Sequence, residues 1–495
     1  MTCKTTNPFS QHHTIFDSII VGAGISGINT SYRIQKSLPT FKYKVLEARS
    51  AIGGTWDLFR YPGIRSDSDL GQYGFSWNPW TRTETIASGS SILDYLKESA
   101  SLHGIDQHIL LRHHVKHASW SSQKKLWILE VDTDKGRVRY ATRFVLWASG
   151  YYNYHQPLMT KIPGLDNFRG RIIHPQFWPS DADYTGKRVV IIGSGATPVT
   201  LLASLSEKAA KTTMLQRSPS YVIAVPNRKQ LPWLAQKLPG VLYHPPRRWV
   251  SSLLSRLFFL FCLEYPTSAK KFLRTVTERE LPPNIPFDPH FKPRYNPFDH
   301  PLYISPDGDF FNALRNGKAD VQTDTIRQVV NDGIELDSDS KIHADILVTA
   351  TGLKVELFGE TKIDIDGRPL HVSDKYVWHR MMIQDMPNSF IFTGYITSSQ
   401  WTLGVDISAR IAVRLMQIMQ REDSSSVTAH VGADEKLEST PLFDLKSTYI
   451  SKALKDLPSA ATTGPWKPTE NYLYGMLFAK FGNVKKGLLF EKRRI

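Results

Sequence analysis

Cysteine is almost missing from this sequence: Cys3 and Cys262 are the only two among 495 residues. That excludes a disulfide framework and a CxxC redox pair, and it fits a reducing compartment. Long apolar runs are missing too, and no stretch approaches the ~20 apolar residues that span a bilayer. The opening "MTCKTTNPFSQHHTIFD" is polar and the run after it is broken by glycines, so no secretory signal is read and a cytoplasmic location is expected. Low-complexity tracts and solenoid repeats are absent. The histidine pairs His12–His13 and His113–His114 have no partners at metal-ligand spacing, so they read as solvated and no metal site is expected. Charge is not balanced, at +15 net, which calls for anionic partners such as phosphorylated cofactors or an acidic membrane surface. The basic residues are scattered and no nucleic-acid module appears, so nucleic acid is not an expected partner.

The length suggests two or three domains. Residues 15–21, "IFDSIIV", have the pattern of a buried strand and run directly into "GAGISG". Gly22, Gly24 and Gly27 then open an apolar helix, and the next strand, "YKVLE", ends on Glu47. Each residue type has a reason. The first glycine permits the tight turn, the second lets a pyrophosphate approach the backbone, and the third lets helix and strand pack closely. The helix N-terminus faces the phosphates, and the acid accepts hydrogen bonds from a ribose. This unit predicts binding of FAD or NAD(H).

The pattern recurs at 187–217 as "KRVVIIG", "GSGATP" and "KTTMLQR". Gly193, Ser194 and Gly195 form the turn, Pro198 takes the third glycine's place, and the unit ends on Gln216 and Arg217. A proline in the first helical turn removes an amide that has no partner there. An arginine in the acid's place suits a 2′-phosphate, so this unit predicts NADP(H); the alternative for Arg217 is an exposed charge at a strand end. Two further strands, 143–150 "RFVLWASG" and 344–352 "ADILVTATG", end in small-residue turns where the chain would cross between domains. The predicted fold is α/β: two Rossmann-like dinucleotide domains, one inserted in the other. The FAD domain comprises residues 1–150 and 341–495, and the NADP domain comprises 151–340 with a helical excursion at about 225–290.

Two motifs remain. "GGTWDLFRYPGIRSDSD" carries Gly53, Gly54, Trp56, Tyr61, Pro62, Gly63 and Asp67; "FRGRIIHPQFWP" carries Phe168, Gly170, His174, Trp178 and Pro179. Read alone, the second is a surface connection plugging a domain seam. Together they resemble the flavin-dependent monooxygenases of the Baeyer–Villiger branch, and the likeness covers most of the chain. The resemblance implies an FAD- and NADPH-dependent enzyme in which hydride reduces the flavin and O2 adds at its C4a to give a peroxide. One oxygen atom then passes to a small organic substrate, most typically a ketone. It implies that Gly54, Thr55, Trp56, Asp67, Tyr73 and Val115 contact FAD, while Arg65, Ser66, Asp67, Thr197, Gln216 and Arg217 line NADP. Gly170, His174 and Trp178 would form the hinge between the two nucleotide domains, with His174 as a pivot and not a proton-transfer group.

One departure bears on the chemistry. Members of that family carry a Lys-Arg or Gln-Arg pair where this chain reads His300-Pro301, in "PRYNPFDHPLYIS". The family arginine stabilises the anionic peroxide. Here Asp67 and His300 are the candidate catalytic residues, with Arg294 as a possible substitute cation. Heteroatom oxygenation, hydroxylation and uncoupled peroxide release stay open beside ketone insertion, as does a non-catalytic flavin-binding protein. A disulfide reductase shares the two-domain plan but needs paired cysteines. The stretch 245–274 joins "LFFLFCL" to basic flanks and reads either as a buried helix with solvated ends or as a surface helix on a membrane.

Overall fold

Ile19 and Ile20 of strand Ile15–Val21 have no exposure at all, as befits a strand covered on both faces. In the computed structural model it pairs in parallel with Tyr43–Glu47 on one side and Gly136–Trp147 on the other. Residues 14–227, 240–396, 400–443, 447–468 and 471–492 are described, without side chains at 240–249. Cys3, His12 and His13 lie outside them, as do the side chains of Arg247 and Arg248.

Strand Gly136–Trp147 joins the two halves of the first unit. Its N-terminal half runs antiparallel to Leu126–Thr133, and its last residues pair in parallel with Ser389–Ile391. Leu126–Thr133 continues into His114–Ser121 and then Lys362–Ile365. Residues before 150 and after 360 thereby build one nine-stranded sheet. Helix Trp401–Arg421 covers it beside helix Ile25–Ser37: Leu403, Ile407, Ile411 and Leu415 fall at helical spacing and are buried in one cluster with Ile34 and Leu38.

The second unit is a five-stranded parallel sheet in the order Ala319–Thr323, Lys211–Gln216, Arg188–Ile192, Ile346–Thr349, Arg171–Ile173. Its fourth strand lies beyond the boundary expected at 340. The returning chain fills the slot between Arg188–Ile192 and Arg171–Ile173 before it crosses back at Gly352, so the sheet of the second unit closes at Thr349.

The helical excursion is present as Gly240–Glu264 and Pro266–Glu280. Phe259 and Cys262 are buried, whereas Val250, Leu253, Leu254 and Leu257 face outward, each about half exposed or more. From Val250 onward the helix buries one face and exposes another, so it is not a fully buried helix. Among the described residues no helix is long and apolar enough to cross a membrane.

Candidate functional site

The C-terminal ends of two strands, at Val21 and Glu47, and Ala148 just past a third open onto a cavity of about 450 Å³. Helix Ile25–Ser37 starts at this cavity from Gly24, and no side chain caps it. Its first-turn amides are therefore available to an anion. A Cβ on Gly54 would stand 3.2 Å from the Cα of Gly24, so two bare backbones face each other there. Together they give the cavity a floor without side chains, which a diphosphate could approach from the cavity side. Glu47 is buried at the cavity edge, its Oε2 accepting from the Ala23 amide (2.7 Å) and its Oε1 from the Arg49 amide (2.9 Å). Burial pushes its carboxyl above the usual range, and the two amides oppose that shift. The Arg49 guanidinium, also on the wall, is held by Asp57 at 2.5 Å, and its Nε has no protein partner.

Thr55, Trp56, Asp67, Tyr73 and Val115, the residues the resemblance assigns to FAD, all line this cavity. The Trp56 indole Nε1 donates to the Tyr73 hydroxyl at 2.8 Å, with the two rings edge to face. Thr55 Oγ1 and the Tyr154 hydroxyl are 3.3 Å apart. The Val115 carbonyl accepts from Thr361 Oγ1 at 2.9 Å. Tyr151 stacks on Trp401 (4.7 Å between ring centroids) and its hydroxyl accepts from that of Tyr152 at 3.2 Å. Asp67 is exposed, but onto the cavity, with protein around it on every side. Desolvation there pushes its carboxyl up to about 6, with Arg65 pulling the other way.

The loop carrying Asp67 is fastened to the second unit. The Tyr61 hydroxyl lies beside the Thr197 side chain at the start of helix Ala196–Ser206. A Cβ on Gly63 would strike Ser204 of that helix, and Arg65 is ion-paired with Asp309. Ser66 Oγ closes a tight turn, accepting from the Ser68 amide (2.9 Å) and donating to the Ser68 carbonyl (2.5 Å). Gly193, Ser194 and Gly195 lead into the helix, again without a side-chain cap. Gln216 is buried and its Nε2 donates to the His290 carbonyl (2.7 Å) and Thr323 Oγ1 (3.0 Å), so its amide nitrogen is committed to the protein. Arg217 is exposed beyond the strand end, with no carboxylate partner among the described residues.

In the segment 168–179, Gly170 lies against the Asp345 carbonyl, which a Cβ would meet at 2.4 Å. His174 Nδ1 accepts from the Gln176 amide at 3.3 Å. Burial pushes its ring below the usual imidazole range, with the Gly352 backbone acting in the opposite sense. Trp178 meets Tyr184 edge to face. The segment thus touches the return crossing at Asp345 and Gly352. Asp67 and His300, expected to act together, are not both at the cavity: His300 packs against Tyr295 (4.4 Å) and is not part of its lining. Pro301 and Arg294 are exposed.

His113 and His114, expected to be solvated, are half-buried and line the cavity. The His114 ring lies parallel to that of His155, and burial pushes it below the ordinary value. No spacing rule announces them; their only signal was adjacency to Val115. Tyr154 and Glu360 also line the cavity without having been singled out.

A family model described as pyridine nucleotide-disulphide oxidoreductase matches residues 19–244. The only cysteine among the described residues, Cys262, is buried and free, so the dithiol chemistry in that description has no counterpart among them. The fold is shared with a steroid monooxygenase solved with NADP (TM-score 0.72, 20% identity, 97% of this chain and 100% of the other). It is shared equally with the OTEMO complex with FAD and NADP (TM-score 0.73, 19% identity, 96% and 99%). In sequence, the chain is 40% identical over 482 residues to the FAD-containing monooxygenase EthA of Mycolicibacterium smegmatis, covering 97% of this chain and 98% of that protein. With that identity along almost its whole length, the chain belongs to the family of FAD-containing monooxygenases.

Proposed function

We propose that this monooxygenase holds FAD in the cavity, takes NADPH against the second unit, and inserts one oxygen atom of O2 beside a ketone carbonyl, giving an ester or lactone. The observation that carries the reading is the placement of Asp67. It stands in the cavity on a loop pinned to the second unit through Tyr61–Thr197 and Arg65–Asp309, so flavin and nicotinamide would meet there. When bound, FAD reduced by NADPH supplies the activated oxygen. The protein's own part is to bind the diphosphate at Gly24 and Gly54, to orient the two rings, and to keep water out with the aromatic wall of Trp56, Tyr73, Tyr151 and Trp401.

A second reading, oxygenation of sulfur or nitrogen with some uncoupled release of peroxide, rests on one feature. The cavity's two arginines, Arg49 and Arg65, are both ion-paired to aspartates, and Pro301 offers no charge. Product analysis with a ketone and a sulfide, alongside peroxide measurement, separates the readings. Ester formation with tight coupling supports insertion; sulfoxide with peroxide supports the second. His300→Ala that leaves ketone oxygenation intact removes His300 from the catalytic set, and Pro301→Arg is expected to improve coupling. Steady NADPH consumption excludes a non-catalytic flavin carrier. The outward leucines of Gly240–Glu264 support peripheral contact with an acidic membrane, tested by vesicle binding of a Leu253, Leu254 and Leu257 triple serine variant.

A further inference from the structure

We propose that Asn153 is a positioning residue, a clasp that binds both crossing segments and the hinge segment together and so couples the orientation of the second unit to the wall of the FAD cavity. The proposal rests on the two-cofactor reading above. Asn153 is 2% exposed and every polar group it owns is engaged. Its amide N–H donates to the Lys354 carbonyl (2.8 Å), which ties the outgoing crossing to the return crossing. Its carbonyl accepts from Gln176 Nε2 (2.7 Å), two residues from His174 in the hinge segment. Its Oδ1 accepts from the amides of His155 (2.8 Å) and Gln156 (2.7 Å), and its Nδ2 donates to Glu356 Oε2 (2.5 Å) and Glu360 Oε1 (3.0 Å). Two amide donors on one side and two carboxylates on the other fix which way the carboxamide faces.

What the clasp holds is strained. Phe358, Gly359 and Glu360 all have left-handed backbone, with φ of 65°, 59° and 67°. Two of the three carry side chains that disfavour it, so the turn persists only because its surroundings impose it. All three residues line the cavity. Glu360 is held by Asn153; the turn is also tied by the buried Phe358 ring, edge to face on Trp147, by Thr361 to the Val115 carbonyl and by a long contact from His114 to the Gly359 carbonyl. On its other side, the Asn153 turn presents Tyr154 and His155 to the same cavity. A shift of the hinge segment is thereby transmitted through Gln176 and Asn153 to a strained turn in the cavity wall.

Asn153→Asp tests this with no change of size. Oδ1 keeps its two amides, while the other oxygen now confronts Glu356 and Glu360 as a third carboxylate. Near pH 8 the variant is expected to release FAD about tenfold faster and to show roughly tenfold slower flavin reduction at saturating NADPH. Near pH 6 a proton shared among the new carboxyl, Glu356 and Glu360, against the pull of Lys354 (3.8 Å from Glu356) and of His114 beside Glu360, restores the missing donor, and both defects shrink to about threefold or less. Adding Glu360→Gln supplies a donor and relieves the defect at pH 8. A wild-type-like variant at pH 8 overturns the proposal, and so does a defect equal at both pH values and unrelieved by Glu360→Gln. Gln176→Met separates the hinge arm: slower reduction with FAD retained is expected, and reduction at the wild-type rate breaks the coupling. If Asn153→Asp fails to fold at pH 8, its recovery at pH 6 and the Gln176→Met result still decide. FAD release and anaerobic reduction are read before O2 or substrate is added, so failure here is distinct from failure of the oxygenation reading.

Discussion

At the first dinucleotide turn, Gly22 has φ +106° and a Cβ there would meet the Ala148 carbonyl oxygen at 2.5 Å. At the second, Gly193 has φ +140° and a Cβ would meet the Ala350 carbonyl oxygen at 2.4 Å. Each turn is thus pressed against the end of a crossing strand, and one backbone plan serves both. The finishing differs. The first ends on Glu47, buried, doubly bonded to backbone amides and part of the cavity wall. The second ends on Arg217, exposed and without a carboxylate partner among the described residues. The closed version suits a cofactor that stays, and the open version suits one that arrives and leaves with each turnover.

The comparison breaks most sharply at the third position. In the first turn a Cβ on Gly27 would stand 1.9 Å from the Gly22 carbonyl oxygen, backbone against backbone, with no flexible group to yield. Gly27→Ala is expected to cost ~3 kcal/mol or more and to give protein largely without FAD, read as flavin absorbance per chain and as melting temperature. Near-stoichiometric FAD in this variant would mean that the first turn is not the tight one.

Where the two units meet, Asp67 gives the next largest effect. Desolvation pushes its carboxyl up to about 6, so it is mostly neutral below that pH and ionised above it. Hydride transfer leaves positive charge on the nicotinamide, which a carboxylate favours. Flavin reduction at saturating NADPH should therefore rise with pH through about 6 and level off. Asp67→Asn is expected to flatten the profile and lower its plateau by roughly tenfold. A wild-type profile flat from about pH 5 to 8 would separate Asp67 from the hydride step.

Both turns were legible in the sequence because glycine spacing reports backbone geometry directly. The residues around the first were legible only through the family resemblance, which singles out Thr55, Trp56, Asp67 and Tyr73; the structure gathers them in one cavity. His300 was placed by alignment with a missing arginine, and that reasoning carries no information on where a loop after "PRYNP" turns; the ring packs on Tyr295 instead. Gln216 was similar, since a residue beside a strand end can face the ligand or the sheet, and here its amide nitrogen bonds His290 and Thr323. His113, His114 and Glu360 reach the cavity through strand pairing and a left-handed turn, features set by tertiary contacts and not by local pattern. The domain boundary moved because Ile346–Thr349 fills an interior slot in the second sheet, which only the strand order shows.

Arg217 sharpens the open side of the comparison. A charge-assisted bond to the 2′-phosphate contributes roughly 1.5–3 kcal/mol, so Arg217→Ala should reduce the preference for NADPH over NADH by about tenfold or more, chiefly through KM. FAD content should not change. If the wild type oxidises both nucleotides equally, the guanidinium is only an exposed strand-end charge.

The smallest effect is expected at Pro198, which stands where the first turn has its third glycine. It is buried in the first turn of helix Ala196–Ser206, where its missing amide has no intrahelical partner to lose. Its Cγ lies 3.1 Å from where a Cβ on Gly193 would be, so the ring packs directly against the turn. Pro198→Gly would match the first turn's glycine pattern, yet it should not make the second turn behave like the first. It frees the unfolded chain and strips the contact over Gly193, and the expected cost is about 1 kcal/mol of stability. NADPH KM should stay within about twofold, because in the proposed reading the phosphates rest on the turn's amides and on Arg217, not on the third residue. A large rise in KM from this substitution would show that the proline ring itself shapes the nucleotide site, and the two turns would then differ in their floor as well as in their open and closed ends.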